Sequence, residues 1–151
     1  MNFSIIVPVY NEDKNIRELN NEILEITLKL NNDNKHNFEI IYVDDGSTDN
    51  TFKVLKELDN LIPTIILKNV RNLSQSSSIL NGIESASYDH IILLDGDLQN
   101  DPSDFIPMIN EYTKDDNIVV HGNRKNRKDP YWSKILPSKL ANQIVRIFTN
   151  S

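Results

Sequence analysis

The sequence predicts an α/β fold, a mostly parallel sheet covered by helices on both faces, and three observations carry that prediction. Short apolar runs alternate with segments of helical periodicity along most of the chain. The runs are apolar throughout rather than at every second residue, the pattern of strands buried on both sides. Their C-terminal ends run into polar, largely acidic segments, and in such sheets ligands bind outside the carboxyl ends of the strands.

Each element follows from its residues. Phe3 to Val9 reads as a buried strand rich in Ile and Val, and Ile16, Leu19, Ile23, Leu24 and Leu30 then recur at helical spacing. Phe38 to Val43 is a second strand, followed by the turn-like Asp44-Asp45-Gly46-Ser47-Thr48-Asp49 and a helix marked by Phe52, Leu55 and Leu58. Thr64 to Leu67 is a short third strand. Ile79, Leu80, Ile83 and Ala86 predict a helix beginning near Ser74. Ile91 to Leu94 is a fourth strand. Asp101-Pro102 starts another helix: Asp101 can cap it, Pro102 suits its first position and Asp104 complements its dipole. Phe105, Met108, Ile109 and Tyr112 continue that helix, and Ile118 to Val120 reads as a fifth strand.

Composition narrows the function. With 38% hydrophobic and 25% charged residues the chain is globular, and without cysteine it has neither disulfides nor thiolate metal sites. No signal peptide and no span of about 18 apolar residues is evident. The net charge of −6 is uneven: residues 1–123 carry 9 Lys/Arg against 21 Asp/Glu, and residues 124–151 carry 7 against 1. The basic end suits an anionic partner such as a lipid phosphate or a membrane surface. Nucleic acid is disfavoured, because an acidic strand-end crevice repels its backbone.

The chemistry gathers at the strand ends. Asp95-Gly96-Asp97 ends the most apolar strand, and residues two apart on an extended segment project to one side. Two carboxylates aimed at one point repel unless a cation lies between them, and oxygen donors favour Mg²⁺ or Mn²⁺. Gly96 is expected to let a ligand approach the backbone. Asp45 could accept from a base N–H or a ribose hydroxyl, with helix capping by this turn as the alternative; Tyr10 could flank a base and Glu12 accept from it. The four glycines, Gly46, Gly82, Gly96 and Gly122, form neither G-x-G-x-x-G nor G-x-x-x-x-G-K, which disfavours dinucleotide redox chemistry and P-loop hydrolysis. His36, His90 and His121 are scattered and read as surface or strand-edge residues rather than catalysts. Arg124 opens a basic run, Arg124 to Lys128, placed to reach a phosphate. Leu136, Leu140, Ile144 and Phe148 with Lys134, Lys139 and Arg146 form a basic amphipathic pattern suited to an interface or to packing on the domain itself.

Ser4 to Glu12, Val43 to Asp49 and Asp95-Gly96-Asp97-Leu98-Gln99 resemble, in that order, the signatures of family 2 inverting glycosyltransferases. Asp97 to Pro102 and Gly122 to Asp129 resemble the branch that uses dolichyl or undecaprenyl phosphate. The resemblance implies a Rossmann-like GT-A fold and a nucleoside-diphosphate-sugar donor, with a polyprenyl phosphate as acceptor. Pro8, Tyr10, Glu12, Val43 and Asp45 would hold the nucleoside. Asp95, Gly96, Asp97 and Gln99 would meet the sugar diphosphate and its Mg²⁺ or Mn²⁺, Asp95 and Asp97 being the catalytic pair and Gln99 a further metal ligand, and Arg124 would pair with phosphate. Residues 1–128 are expected to form the nucleotide-sugar-binding domain. Residues 129–151 would begin an acceptor- or membrane-proximal region that family members continue, so that this chain resembles a C-terminally truncated member. The implied location is cytoplasmic, at the membrane face. Two alternatives are a saccharide hydroxyl as acceptor and a non-catalytic nucleotide-sugar-binding module.

Overall fold

A computed structural model describes residues 1–31, 36–58, 61–115 and 118–122. The order of elements is β1 (Asn2–Val9), α1 (Ile16–Asn31), β2 (Asn37–Asp44), α2 (Thr51–Lys56), β3 (Thr64–Lys68), α3 (Gln75–Glu84), β4 (His90–Leu93), a 3-10 turn (Pro102–Asp104) and α4 (Phe105–Tyr112). The four strands form one sheet in the order β3-β2-β1-β4, and every neighbouring pair is parallel. The register aligns Val9 with Asp44 and Ile6 with Leu93. The predicted α/β class is the observed one.

Alternate residues of each strand feed two cores. Phe3, Ile5, Val7 and Val9 of β1 join Phe38, Ile40 and Tyr42 of β2 beneath α1, α2 and α4. Ile6, Ile41 and Val43 face the opposite way and pack with Ile65, Leu67, Ala86 and Ile91. Helix α3 covers this second face closely. A Cβ on Gly82 would come within 2.5 Å of Ile6 Cγ2, so the absence of a side chain sets the distance between helix and sheet.

Several buried polar groups are paired, as burial favours. Tyr42 donates its hydroxyl to Asn20 Oδ1 at 3.0 Å, and burial pushes its pKa up. Glu39, inside β2, accepts from Ser4 Oγ (2.6 Å), the Ser87 backbone N–H (2.6 Å) and Ser87 Oγ (2.9 Å), fixing the α3–β4 connection to the sheet. His90, at the start of β4, bonds Tyr112 and packs on Phe3, which places it in an aromatic cluster away from the carboxyl edge.

One expectation changes. Ile118 to Val120 forms no strand, and Val119 is 80% exposed: no described strand lies beside it to supply ladder hydrogen bonds. Helix α3 turns Ser78 and Gly82 rather than Leu80 and Ile83 toward the sheet, and the latter pair remain 55% and 43% exposed. Small residues win that face because they allow the close approach at Ile6. Phe52 of α2 is half-buried and lies under the ammonium groups of Lys68 (4.5 Å) and Lys56 (4.8 Å). The basic segment from Arg124 to Phe148 lies outside the described residues. Among the described residues, no helix is long and apolar enough to cross a membrane.

Candidate functional site

The chain winds from β1 outward to β2 and β3, then crosses back to place β4 on the other side of β1. That reversal separates the connections leaving β1 and β4 and opens a crevice between their carboxyl ends. A cleft of about 340 Å³ lies there, lined by Pro8, Val9, Tyr10, Glu12, Asp45, Asn72, Gln75, Asp95, Gly96 and Asp97.

One wall is the β1–α1 loop stapled to the loop after β2. Asn11 takes a left-handed backbone conformation (φ 56°), which asparagine tolerates. Its backbone N–H donates to Ser47 Oγ (3.0 Å), and its side-chain oxygen accepts from the Thr48 backbone N–H (2.9 Å). The Glu12 backbone N–H donates to Thr51 Oγ1 (2.8 Å). These bonds hold Tyr10, 43% exposed, and Glu12 at the cleft. The Glu12 carboxyl pKa is raised, first by burial and further by the negative charges of Asp97 and Asp49, against the lowering effect of Asn15. Glu12 and Asp97 therefore feel one another's charge across the cleft.

The next wall is organised by Asp45. Its Oδ1 accepts from Asn69 Nδ2 (2.8 Å) and the Leu73 backbone N–H (2.9 Å), and its Oδ2 accepts from the Ser74 backbone N–H (3.1 Å). Burial raises the carboxyl pKa, but the bonds from Leu73, Asn69, Ser74 and Ser78 outweigh it and hold the group below its usual range. Asn50 is the N-cap of α2 and makes no side-chain cap bond, while Asp49 before it accepts from the Thr51 backbone N–H (2.9 Å) and hydroxyl (2.6 Å). Gly46 has φ 73°, and a Cβ there would meet the Arg71 backbone at 2.5 Å, so the turn after β2 fits against the 69–74 loop without room for a side chain.

The acidic wall follows β4. Asp95 accepts from Gln75 Nε2 at Oδ1 (2.7 Å) and from Asn100 Nδ2 at Oδ2 (3.2 Å). Asp97 accepts the Gln99 backbone N–H at Oδ1 (3.1 Å), closing a short turn in which Leu98 has φ 59°. Gly96 lines the cleft and also has a steric reason: a Cβ would come within 2.7 Å of Val9 Cγ1 and 3.2 Å of the Pro8 carbonyl, so the tip of β1 requires glycine there.

The structure thus brings Pro8, Tyr10, Glu12, Asp45, Asp95, Gly96 and Asp97 to one cleft. Val43 is not on its wall, its side chain being buried in the smaller core. Gln99 is exposed and off the wall as well, meeting Asp97 through its backbone. Arg124 lies outside the described residues. Asn72 and Gln75 were not foreseen. The signal for Gln75 was present, since a helix expected to begin near Ser74 at the carboxyl edge puts its first residue there.

Among the described residues, a parallel α/β sheet carries paired acidic residues and an exposed aromatic at its switch point, and the class it defines is the GT-A-like fold. The chain belongs to glycosyl transferase family 2, whose model matches residues 4–150. It is 38% identical over 146 residues to an undecaprenyl-phosphate 4-deoxy-4-formamido-L-arabinose transferase of Proteus mirabilis, covering 94% of this chain and 42% of that protein. It is 32% identical over 147 residues to a dodecaprenyl-phosphate galacturonate synthase of Rhizobium johnstonii, covering 96% of this chain and again 42% of the relative. The chain therefore spans about two fifths of the length of these relatives. The fold is shared with S. aureus TarS 1-349 in complex with UDP-GlcNAc (TM-score 0.65, 22% identity, 86% of this chain and 37% of that one). It is shared too with the mannosyltransferase PcManGT of Pyrobaculum calidifontis in complex with GDP-Man and Mn²⁺ (TM-score 0.54, 22% identity, 63% of this chain and 27% of that one).

Proposed function

We propose that this chain binds the donor in a glycosyltransferase that moves a sugar from a nucleoside diphosphate to a polyprenyl phosphate. The observation that carries the reading is the cleft at the β1/β4 switch point, with Tyr10, Glu12 and Asp45 toward one side and Asp95 and Asp97 toward the other. The first group suits a nucleoside: an exposed ring for a base to pack against and carboxylates to accept from it. The second suits a diphosphate with its cation. Relatives named for undecaprenyl- and dodecaprenyl-phosphate sugar transfer support the acceptor class.

The donor set fits Mg²⁺ or Mn²⁺. The cleft offers carboxylate oxygens and no thiolate or imidazole. Among the described residues, no three or more His, Cys, Asp or Glu side chains gather as a metal site. Mg²⁺ ordinarily takes one or two carboxylates and fills its other positions with water and substrate phosphate, so Asp95 and Asp97 suffice on the protein side. When bound, the cation supplies positive charge against the departing diphosphate. The mannosyltransferase of like fold was solved with Mn²⁺.

Transfer proceeds with inversion: an acceptor oxygen attacks the anomeric carbon from the face opposite the diphosphate, whose bond to that carbon breaks. A phosphate monoester, with a second pKa of about 6, is already anionic near neutrality and needs no strong base. Arg124 and the following basic residues pair with phosphate. Residues 1–128 constitute the donor domain and residues 129–151 a basic amphipathic segment at the cytoplasmic membrane face.

The test is calorimetry of the chain with UDP- and GDP-sugars, with and without Mn²⁺, beside a radiolabelled transfer assay offering undecaprenyl phosphate and an oligosaccharide in parallel. Metal-dependent donor binding and labelling of the lipid are expected. Donor affinity indifferent to chelation, or labelling of the oligosaccharide alone, overturns the reading.

A further inference from the structure

The start of α3 touches both halves of the cleft. Ser74, the cap of the helix, donates its backbone N–H to Asp45 and accepts from the Ser77 backbone N–H. Gln75, the next residue and the first of the helix, donates from Nε2 to Asp95 Oδ1 at 2.7 Å. The carboxylate after β2 and the carboxylate after β4 are thus linked through two consecutive residues. Asp95 receives a second amide, Asn100 Nδ2, on its other oxygen. Both of these amides are neutral, so they orient the carboxylate without offsetting its negative charge. Gln75 itself is exposed and packs in neither core, so its side chain answers to Asp95 rather than to the stability of the helix.

We propose that Gln75 is a positioning residue: its amide holds Asp95 in the orientation that receives the divalent cation, and Asp45 holds Gln75 in place through Ser74. This rests on the metal role assigned above to Asp95. Groups that hydrogen-bond to a metal-binding carboxylate typically carry about 10- to 100-fold in metal affinity. Gln75 is placed to do so from an element about twenty residues away in sequence.

The experiment measures Mn²⁺ affinity of the whole chain by electron paramagnetic resonance of free Mn²⁺, with UDP and separately with GDP as probes. The variants are Gln75→Met, Gln75→Glu, Asp95→Asn and Gln75→Met combined with Asp95→Asn. Gln75→Met keeps length and loses the donor; it is expected to weaken Mn²⁺ binding about tenfold with an unchanged melting temperature. Gln75→Glu, which sets a second negative charge against Asp95, is expected to reorient the carboxylate and fail to restore wild-type affinity. Adding Gln75→Met to Asp95→Asn is expected to cost nothing further, because the effect runs through Asp95. Equal Mn²⁺ affinity in wild type and Gln75→Met overturns the inference alone, as does a full tenfold loss in the Asp95→Asn background. Wild-type protein that binds no Mn²⁺ with either nucleotide, or Asp95→Asn with undiminished affinity, overturns the metal reading and this inference with it.

Discussion

Ser74 donates its backbone N–H to Asp45 Oδ2 at 3.1 Å, and that bond ties the start of α3 to the tip of β2. Asp45 is nearly fully buried, and the same carboxylate also takes the Leu73 N–H and the Asn69 amide. Asp45→Ala leaves its hydrogen-bond donors to find new partners and is expected to cost on the order of 3 kcal/mol in urea unfolding. The pH dependence has a defined sign. The folded pKa is depressed below the ordinary carboxyl value of 3.8, so Asp45 contributes stability in full above about that pH and loses it as the pH falls through the lower folded value. Asp45→Asn is expected to flatten the stability profile in that acidic window, measured by denaturant midpoints from neutrality downward.

Gly82→Ala places a methyl 2.5 Å from Ile6 Cγ2 and 3.3 Å from Val43 Cγ2. The substitution favours the isolated helix by about 1 kcal/mol. Overpacking typically costs about 1–3 kcal/mol, and here it acts across the whole contact between α3 and the sheet, so net destabilisation is expected. A lower thermal midpoint checks it, and a raised midpoint would show that α3 has room to shift.

Glu39→Ala removes the acceptor shared by Ser4 and Ser87 at the far end of the sheet from the cleft. The Ser87 backbone N–H is left without that partner, and a loss of about 2–3 kcal/mol is expected. Nucleotide affinity is expected to match wild type, because no residue of this network lines the cleft. Calorimetry beside unfolding curves separates the two effects.

Asp97→Ala is the converse case. The described bond to its side chain comes from Gln99 in its own turn, and the residue is half-buried at the cleft. Stability is expected to stay within about 0.5 kcal/mol of wild type, while the Mn²⁺-dependent share of donor affinity disappears. Undiminished Mn²⁺ dependence would remove Asp97 from the metal site.

Much of this architecture was readable before any coordinates. The Ile and Val runs around Ile5, Ile41 and Ile92 had no other stable use than strands covered on both sides, and the switch-point rule pointed from them to Tyr10, Asp45 and Asp95. The less legible parts depended on neighbours distant in the chain. Glu39 in an apolar run gives no sign that Ser4 and Ser87 will surround it. Gly82 reveals its role only beside Ile6. Asn72 reaches the cleft through a loop without periodicity, whose path Asp45 determines. Ile118 to Val120 misled because three apolar residues resemble a strand whether or not a partner lies alongside.

The strand order β3-β2-β1-β4 has a consequence for how the molecule comes into being. β2 can dock on β1, and β3 on β2, through short local crossovers, but the β4 side closes only when residues such as Ser4 and Tyr88, 84 positions apart, meet. Contacts so distant carry a large loop-closure cost and form slowly. During synthesis, the cleft therefore comes together only after one half of the sheet can already stand, and mutations that slow the docking of β4 are expected to yield chains that are folded in part and hold ligand weakly.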